Sequence, residues 1–305
     1  MTSAEFATCS ASATSVHEPL PGTAPLAKAW LAIEQEGPFG RDALTQSHFP
    51  SDLARALLAR LDGTGVRPAL IRRVGRHADT HTATAARRVY LAASQPGKTG
   101  LATNLIDDPA ALLDIDFHAL ADGDLSGAWP QARVSSDPLL LICTHAKRDV
   151  CCAVHGLPLA RAAHHHFGSD DAVWETSHLG GHRFAPTAVQ LPHGWVHGRL
   201  DLPAAIAVLE SARRAAPEVP IGCARGRSSL RAAAQAADIH VRMTRKIVGI
   251  DDTRVVQIAD DLFEVSVPQD GPVRVSVTPA DLQTPRRESC AKPPVIGRVF
   301  HTTIL

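Results

Sequence analysis

The stretch from residue 139 to residue 184 constrains this chain most, because it places four potential soft-metal ligands after one apolar strand. It reads LLLICTHAKRDVCCAVHGLPLARAAHHHFGSDDAVWETSHLGGHRF. The apolar run Leu139 to Ile142 predicts a buried strand. That strand delivers Cys143 to its carboxyl end, which is where α/β proteins usually place their chemistry. The four ligands form two close pairs, Cys143 with Cys152 and His178 with His182.

The spacing within each pair indicates what the site could hold. Thiolate and imidazole both bind zinc, copper and iron-sulfur clusters, so ligand type alone does not choose the metal. Structural zinc sites usually hold paired cysteines about two to four residues apart. The eight residues between Cys143 and Cys152 form a wider loop, which can wrap a larger object such as a two-iron cluster. Gly180 and Gly181 predict a tight loop whose backbone can approach a bulky group closely.

Composition narrows the class of protein. The 305 residues, 45% of them hydrophobic, are enough for two domains with cores of their own. Basic and acidic residues balance at 31 each, which argues against a nucleic-acid partner. The chain has no run of roughly 20 apolar residues and no signal-peptide pattern at its start, so we expect a cytoplasmic protein without a membrane partner. Six cysteines are too few for a disulfide framework and favour metal or redox chemistry.

The order of the expected elements predicts an α/β fold with four segments. Residues 1–24 are expected to form an extended arm with Cys9 as a free thiol. Residues 25–131 read β, turn, α, β, β and predict a smaller α/β domain without ligands. Residues 132–220 read β-α-β-β-α, the order of a thioredoxin-like domain, and the first domain could be a degenerate copy of it. Residues 221–305 predict a C-terminal helix, a β-hairpin and a tail.

Several local expectations accompany this order. A helix is expected over Pro158 to His166, after a loop that carries the cysteines. Another is expected over Ser228 to Arg242, with Ser228 or Ser229 as its N-cap. Ahead of it, Arg225 and Arg227 could hold an anion at the helix N-terminus, although a solvated turn is the expected arrangement. No chemical role is predicted for Cys290, which lies in a Pro-rich tail.

Five runs carry a family resemblance. They are CTHAKRDVCC, WETSHLGGHRFAP, GTAP at residues 22–25, GPFGRDAL at residues 37–44 and ESC at residues 288–290. Together they resemble the sucrase/ferredoxin-like family over nearly the whole chain. The chain departs from the family pattern at Ala146, where Gly is expected, and at Phe39, where Trp is expected.

The resemblance implies a thioredoxin-like ferredoxin whose 2Fe-2S cluster is held by two cysteines and two histidines. Carried over to this sequence, the residues that would bind the iron atoms of the cluster are Cys143, Cys152, His178 and His182. Histidine ligands raise the potential above that of an all-cysteine ferredoxin and can couple electron uptake to proton uptake. The expected function is one-electron transfer by a carrier rather than by a catalyst with its own substrate. Without a Gly-rich dinucleotide motif, its partner is expected to be a separate reductase or acceptor protein.

Two other functions stay open from the residues themselves. One is a structural zinc ion at the same four residues. The other is a thiol-disulfide oxidoreductase that uses Cys151 or Cys152. Cys151 could also replace Cys152 as a ligand, although the family spacing favours Cys152. His145 and His155 flank the cysteines and could donate hydrogen bonds to cluster sulfurs.

Overall fold

A computed structural model of the chain describes residues 8–75, 86–168, 171–268 and 271–305. The described residues form a mixed α/β structure with sixteen strands and eight α-helices. The strands are β1 (Ala29–Glu34), β2 (Val66–Arg73), β3 (Arg87–Ala93), β4 (Gly100–Ile106), β5 (Arg133–Ser135), β6 (Leu139–Cys143), β7 (Val173–Thr176), β8 (Ala188–Leu191), β9 (Trp195–His197), β10 (Ala224–Arg227), β11 (Arg254–Ala259), β12 (Leu262–Ser266), β13 (Val273–Asp281), β14 (Arg286–Arg287), β15 (Pro294–Val295) and β16 (Arg298–Ile304). The helices are α1 (Cys9–Ser15), α2 (Ala43–Gln46), α3 (Ser51–Leu61), α4 (Phe117–Asp122), α5 (Leu125–Ala128), α6 (Val150–Phe167), α7 (Leu202–Ala212) and α8 (Ala232–Arg245). Short 3₁₀ turns cover Pro109–Asp114, His182–Phe184 and Ile221–Cys223.

One ten-stranded sheet runs through both halves of the chain, in the order β10-β9-β8-β6-β7-β2-β1-β3-β4-β5. In the first half, β1 pairs parallel with β2 and antiparallel with β3, and β3 pairs antiparallel with β4. In the second half, β6 pairs in the same way with β7 and β8, and β8 pairs with β9. Antiparallel pairing of β2 with β7 joins the halves. The first half therefore repeats the strand order of the second, as a degenerate copy would.

Both faces of this sheet are covered, which explains the near-continuous apolar runs of its central strands. Along β1, Leu31 and Ile33 contribute to one core cluster, whereas Trp30 and Ala32 contribute to another on the opposite face. Strand β6 alternates in the same way. Leu140 and Ile142 pack in a cluster with residues of α6 and α7, while Leu141 and Cys143 point to the other face.

Helix α6 begins earlier than its sequence predicts. Its first residue is Val150 and not Pro158, so Cys151 and Cys152 lie in its first turn instead of in a loop. The side chain of Asp149 caps the helix by accepting a hydrogen bond from the Cys151 amide at 3.0 Å. Pro158 lies inside the helix and does not start it.

The structure also corrects the expectation of an extended arm from residue 8 onward, while residues 1–7 lie outside the described residues. Residues 9–15 form helix α1, which Thr8 caps, and not an extended arm. Cys9 has an exposed fraction of 0%, so it is not a thiol in a mobile segment.

The C-terminal part differs in two respects. Helix α8 starts at Ala232, because the hydroxyl of Ser228 is engaged elsewhere: it accepts a hydrogen bond from the Trp30 indole and donates one to the Ala27 carbonyl. The predicted hairpin is part of a separate four-stranded antiparallel sheet, β11-β12-β13-β16, which packs on α8. Among the described helices, none combines the length and apolar character needed to cross a bilayer.

Candidate metal centre

Two thiols meet where β6 ends and α6 begins. Cys143 is the last residue of β6, and its amide donates to the Thr187 carbonyl at 2.9 Å. Cys152 lies in the first turn of α6, and both cysteines are 1% exposed. The helix can approach the strand because residue 156 is glycine: a Cβ there would overlap the carbonyl oxygen of Cys143. The packing of α6 on β6 therefore brings the two sulfurs together.

The histidine pair comes from the loop that follows β7. Because β7 runs parallel to β6, the two strands deliver their following residues to the same edge of the sheet. Gly180 and Gly181 adopt positive φ values of 85° and 71°, which favour glycine and fold the loop back. The rings of His178 and His182 lie 5.3 Å apart between centroids.

Three of the four predicted ligands form one compact group. The Sγ atoms of Cys143 and Cys152 and a ring nitrogen of His178 all lie within 4.8 Å of one another. His182 lies beside His178 but outside this group, and its Nε2 is 3.6 Å from the Asp149 carboxylate. The structure thus brings Cys143, Cys152 and His178 together and places His182 next to His178.

The imidazoles carry buried nitrogens that a metal could use. Among the described residues, Nδ1 of His178 and both ring nitrogens of His182 are buried without a hydrogen-bond partner. Buried polar atoms are nearly always satisfied, so unpartnered nitrogens beside two thiols are atoms that a metal could bind. Burial also lowers the pKa of His182, although Asp149 opposes this shift. The donor set therefore fits a metal centre.

The contact between the two thiols shifts the pKa of each of them. The hydrogen bond from Cys152 is the main cause that lowers the pKa of Cys143, and it outweighs burial, which raises it. The same contact raises the pKa of Cys152. The two thiols therefore titrate as a pair, in which the loss of one proton favours retention of the other.

The ring of His145 positions the histidine loop, and its backbone forms a hydrogen bond that helps to lower the pKa of Cys143. Its Nδ1 accepts a hydrogen bond from the His178 amide at 3.1 Å, so its Nε2 carries the proton and donates to the Gly40 carbonyl at 2.7 Å. Phe39 packs edge-on against its ring at 5.5 Å between centroids. His155 contacts Ser10 at 3.1 Å. Both imidazole rings therefore form hydrogen bonds with other groups of this chain.

Arg225 is a site residue that sequence reasoning missed. It is 1% exposed and not on a solvated turn, and Arg227 is buried as well. Arg225 donates to the Gly180 carbonyl at 2.9 Å and to the Thr23 hydroxyl at 3.0 Å. Burial lowers its pKa to about 9, and the nearby thiol groups of the candidate centre oppose that shift. A buried positive charge therefore supports the loop that carries the histidines. Thr23 belongs to the GTAP run, which was the available signal.

Cys151 faces away from this group. Its Sγ lies 3.5 Å from that of Cys9 and 3.3 Å from that of Cys290. Successive residues of a helix are rotated by about 100° about its axis, so neighbouring cysteines serve different sides. The structure thus places Cys152, and not Cys151, beside Cys143.

A surface cavity of about 280 Å³ opens next to His178. Its wall includes His145 and three arginines, Arg41, Arg67 and Arg148. The cavity gives the otherwise buried centre a cationic approach from solvent.

Comparison with protein families matches residues 20–219 to the family described as Sucrase/ferredoxin-like. Neither the curated proteins nor the solved structures contain a significant match to the chain. The matched range contains all four candidate ligands and ends before Cys290, while Cys9 precedes it. Because this range covers well over half of the 305 residues, the chain belongs to the sucrase/ferredoxin-like family.

Proposed function

We propose that this protein is a one-electron carrier that holds a 2Fe-2S cluster through Cys143, Cys152, His178 and His182. The observation that carries the proposal is the meeting of two buried thiols with imidazole nitrogens that have no other partner among the described residues.

The arrangement of the four side chains supports a two-iron cluster over a single ion. The two thiols contact each other, and the two imidazole rings lie side by side. In a Rieske-type cluster one iron takes two thiolates and the other takes two imidazoles, which is the same grouping. When bound, such a cluster supplies one electron at a time, at a potential above that of an all-cysteine ferredoxin.

The protein itself orients the imidazoles. The amide of His178 is fixed by His145, and the carboxylate of Asp149 lies 3.6 Å from Nε2 of His182. Histidine ligands usually donate their second N–H to such a carboxylate, which leaves Nδ1 as the ligand atom. The buried Nδ1 of His178 would also face the cluster. The other nitrogen of His178 would then exchange a proton with the adjacent cavity.

The charges around the centre favour an acidic partner. Arg225 stabilises added negative charge from behind the histidine loop, whereas the cavity arginines Arg41 and Arg148 lie on the side of solvent. A separate reductase or acceptor with a carboxylate patch would be steered to this opening. The formal net charge of zero gives no reason to propose a nucleic-acid partner. We also propose that the carrier works in the cytoplasm.

The test is a visible and low-temperature EPR spectrum of protein purified without oxygen, before and after dithionite. Wild type is expected to show a charge-transfer band that bleaches on reduction, and a spin-half signal with a Rieske-like low average g. His178→Ala should lose or shift this signal because a nitrogen ligand is removed. His165→Ala, on the exposed face of α6, is the matched control and should leave it unchanged. A colourless, EPR-silent protein with stoichiometric zinc at these residues would show a structural metal site instead.

A further inference from the structure

A second group of potential metal ligands lies on the other side of the α6 N-terminus. Cys9 of α1, Cys151 of α6 and Cys290, which follows β14, bring three sulfurs together from distant parts of the chain. The Sγ–Sγ separations are 3.5 Å for Cys9–Cys151, 3.3 Å for Cys151–Cys290 and 3.5 Å for Cys290–Cys9. Asp149 adds a carboxylate oxygen 3.5 Å from the Sγ of Cys9.

We propose that these four side chains bind one zinc ion, separate from the candidate cluster. Tetrahedral zinc with Zn–S bonds of about 2.3 Å holds its sulfurs about 3.8 Å apart, close to the separations seen here. Three thiolates and one carboxylate oxygen complete a closed, four-coordinate structural site. An iron-sulfur cluster that binds each of these cysteines through a different iron atom would need larger Sγ–Sγ separations than those observed.

Backbone amides and a hydroxyl group surround the sulfur and carboxylate atoms of this group and can stabilise negative charge on them. The Cys9 amide donates to the Sγ of Cys290 at 3.3 Å, and the Ser10 hydroxyl lies 3.2 Å from the Sγ of Cys151. The carboxylate of Asp149 accepts from the amides of Cys151 and Cys290 at 3.0 and 2.9 Å. A cation that binds here would displace the thiol protons, and its charge would offset that of the thiolates and the carboxylate in this largely buried site. The ligand atoms are therefore placed and supported as a cation site requires.

One feature sets this group apart from the first site, and another sets it apart from a disulfide. Cys151 and Cys152 point to different sides of α6, so each group has its own helix cysteine. A disulfide would account for only two of the three sulfurs, and its S–S bond of about 2.05 Å is much shorter than any separation here.

Metal analysis of the full chain tests the proposal. Wild type is purified without oxygen, passed over a chelating resin and assayed for zinc and iron. We expect about one zinc ion per chain in wild type and in Cys223→Ser, whose cysteine belongs to neither group. Cys9→Ser and Cys290→Ser should lose at least about tenfold in bound zinc, because a thiolate is removed, and should keep their iron. Cys143→Ser should do the reverse, losing iron and retaining zinc.

Cobalt substitution gives a readout that does not rely on variants. Co²⁺ taken up by the wild type should show thiolate-to-metal charge transfer and the strong visible bands of a tetrahedral ion. This titration decides the matter if the serine variants fail to fold, as judged by circular dichroism. The proposal is overturned if wild type binds neither zinc nor cobalt outside the Cys143 site. It is also overturned if mass spectrometry of alkylated protein finds a disulfide among Cys9, Cys151 and Cys290. Because iron is measured separately, failure here leaves the electron-transfer proposal untouched.

Discussion

His197 shows how burial changes the behaviour of a single titratable residue. It is 1% exposed in β9, its Nδ1 is 3.4 Å from the Sγ of Cys223, and its Nε2 has no partner among the described residues. Burial lowers its pKa from 6.5 to about 3, and the charge of Arg225 adds to the shift. The folded protein therefore keeps this imidazole neutral where the unfolded chain protonates it.

This shift predicts a loss of stability in acid. The contribution of His197 is fully present above pH 6.5 and is lost as pH falls toward about 3, since only the unfolded chain takes up a proton there. Replacing it in His197→Gln should reduce the slope of unfolding free energy against pH by about 1.4 kcal/mol per unit within that window. Urea unfolding between pH 7 and 4, at one metal state, measures the slope. His165→Gln, at an exposed position, should keep the wild-type slope. Equal slopes for His197→Gln and wild type would contradict the prediction.

Residue positions differed in how far they could be predicted from the sequence. The members of each predicted ligand pair are only nine or four positions apart, so the chain must keep them near each other whichever elements carry them. Cys9 and Cys290 are 281 positions apart, and no local pattern links them. The one signal was that Cys290 ends the ESC run that carries the family resemblance. Burial of Arg225 depends on the folded loop around it and leaves no mark in local composition.

At the scale of elements, the contact between α6 and β6 controls the candidate centre. Gly156 packs against the carbonyl of Cys143, and a Cβ there would overlap that oxygen. Gly156→Ala is therefore expected to push the helix away, lower the unfolding free energy by about 1–3 kcal/mol and reduce bound iron. Helix propensity alone predicts the opposite sign, a gain of about 1 kcal/mol. Chemical denaturation and iron analysis measure both effects.

Gly222→Ala is the control for this prediction. A Cβ at Gly222 would meet no heavy atom within 4 Å, and its φ is not in the left-handed region. Its stability and iron content should stay at wild-type values. A Gly156→Ala protein that is as stable as this control would show that the helix can shift without cost.

The elements also show which sequence signals are strong. The apolar run Leu139 to Ile142 correctly predicted strand β6, because residues of a strand that is covered on both faces must be apolar. The start of α6 was misplaced because Pro158 imitates a first helical residue. Asp149, an acidic residue just before an apolar run, is the true start signal.

At the scale of the whole molecule, buried ion pairs fasten both terminal segments to the histidine loop. Glu18 accepts from Arg286 at 2.7 and 2.8 Å and from Arg183, next to His182, at 2.8 Å. The Ser12 hydroxyl accepts from the Arg287 amide at 2.9 Å. The proposed zinc site lies at the same junction and would act together with these pairs.

Removal of zinc should therefore loosen the two terminal segments together. Hydrogen exchange of chelator-treated protein is expected to rise in peptides covering residues 8–16 and 286–295, because a shared ligand holds both. Exchange in β1 should stay unchanged, since its sheet contacts do not involve the metal. Chelator treatment of Cys290→Ser should add no further change. A uniform rise across the chain would instead indicate global destabilisation.

The contact between Cys9 and Cys290 also determines the order in which the two candidate sites can form during translation. A ribosome makes Cys9 early and Cys290 281 residues later, after the strands and the helix that carry all four candidate cluster ligands. The first site can assemble before residue 290 is made, but the second cannot. Its ion would then be inserted after the cluster, once the segment that carries Cys290 has been made.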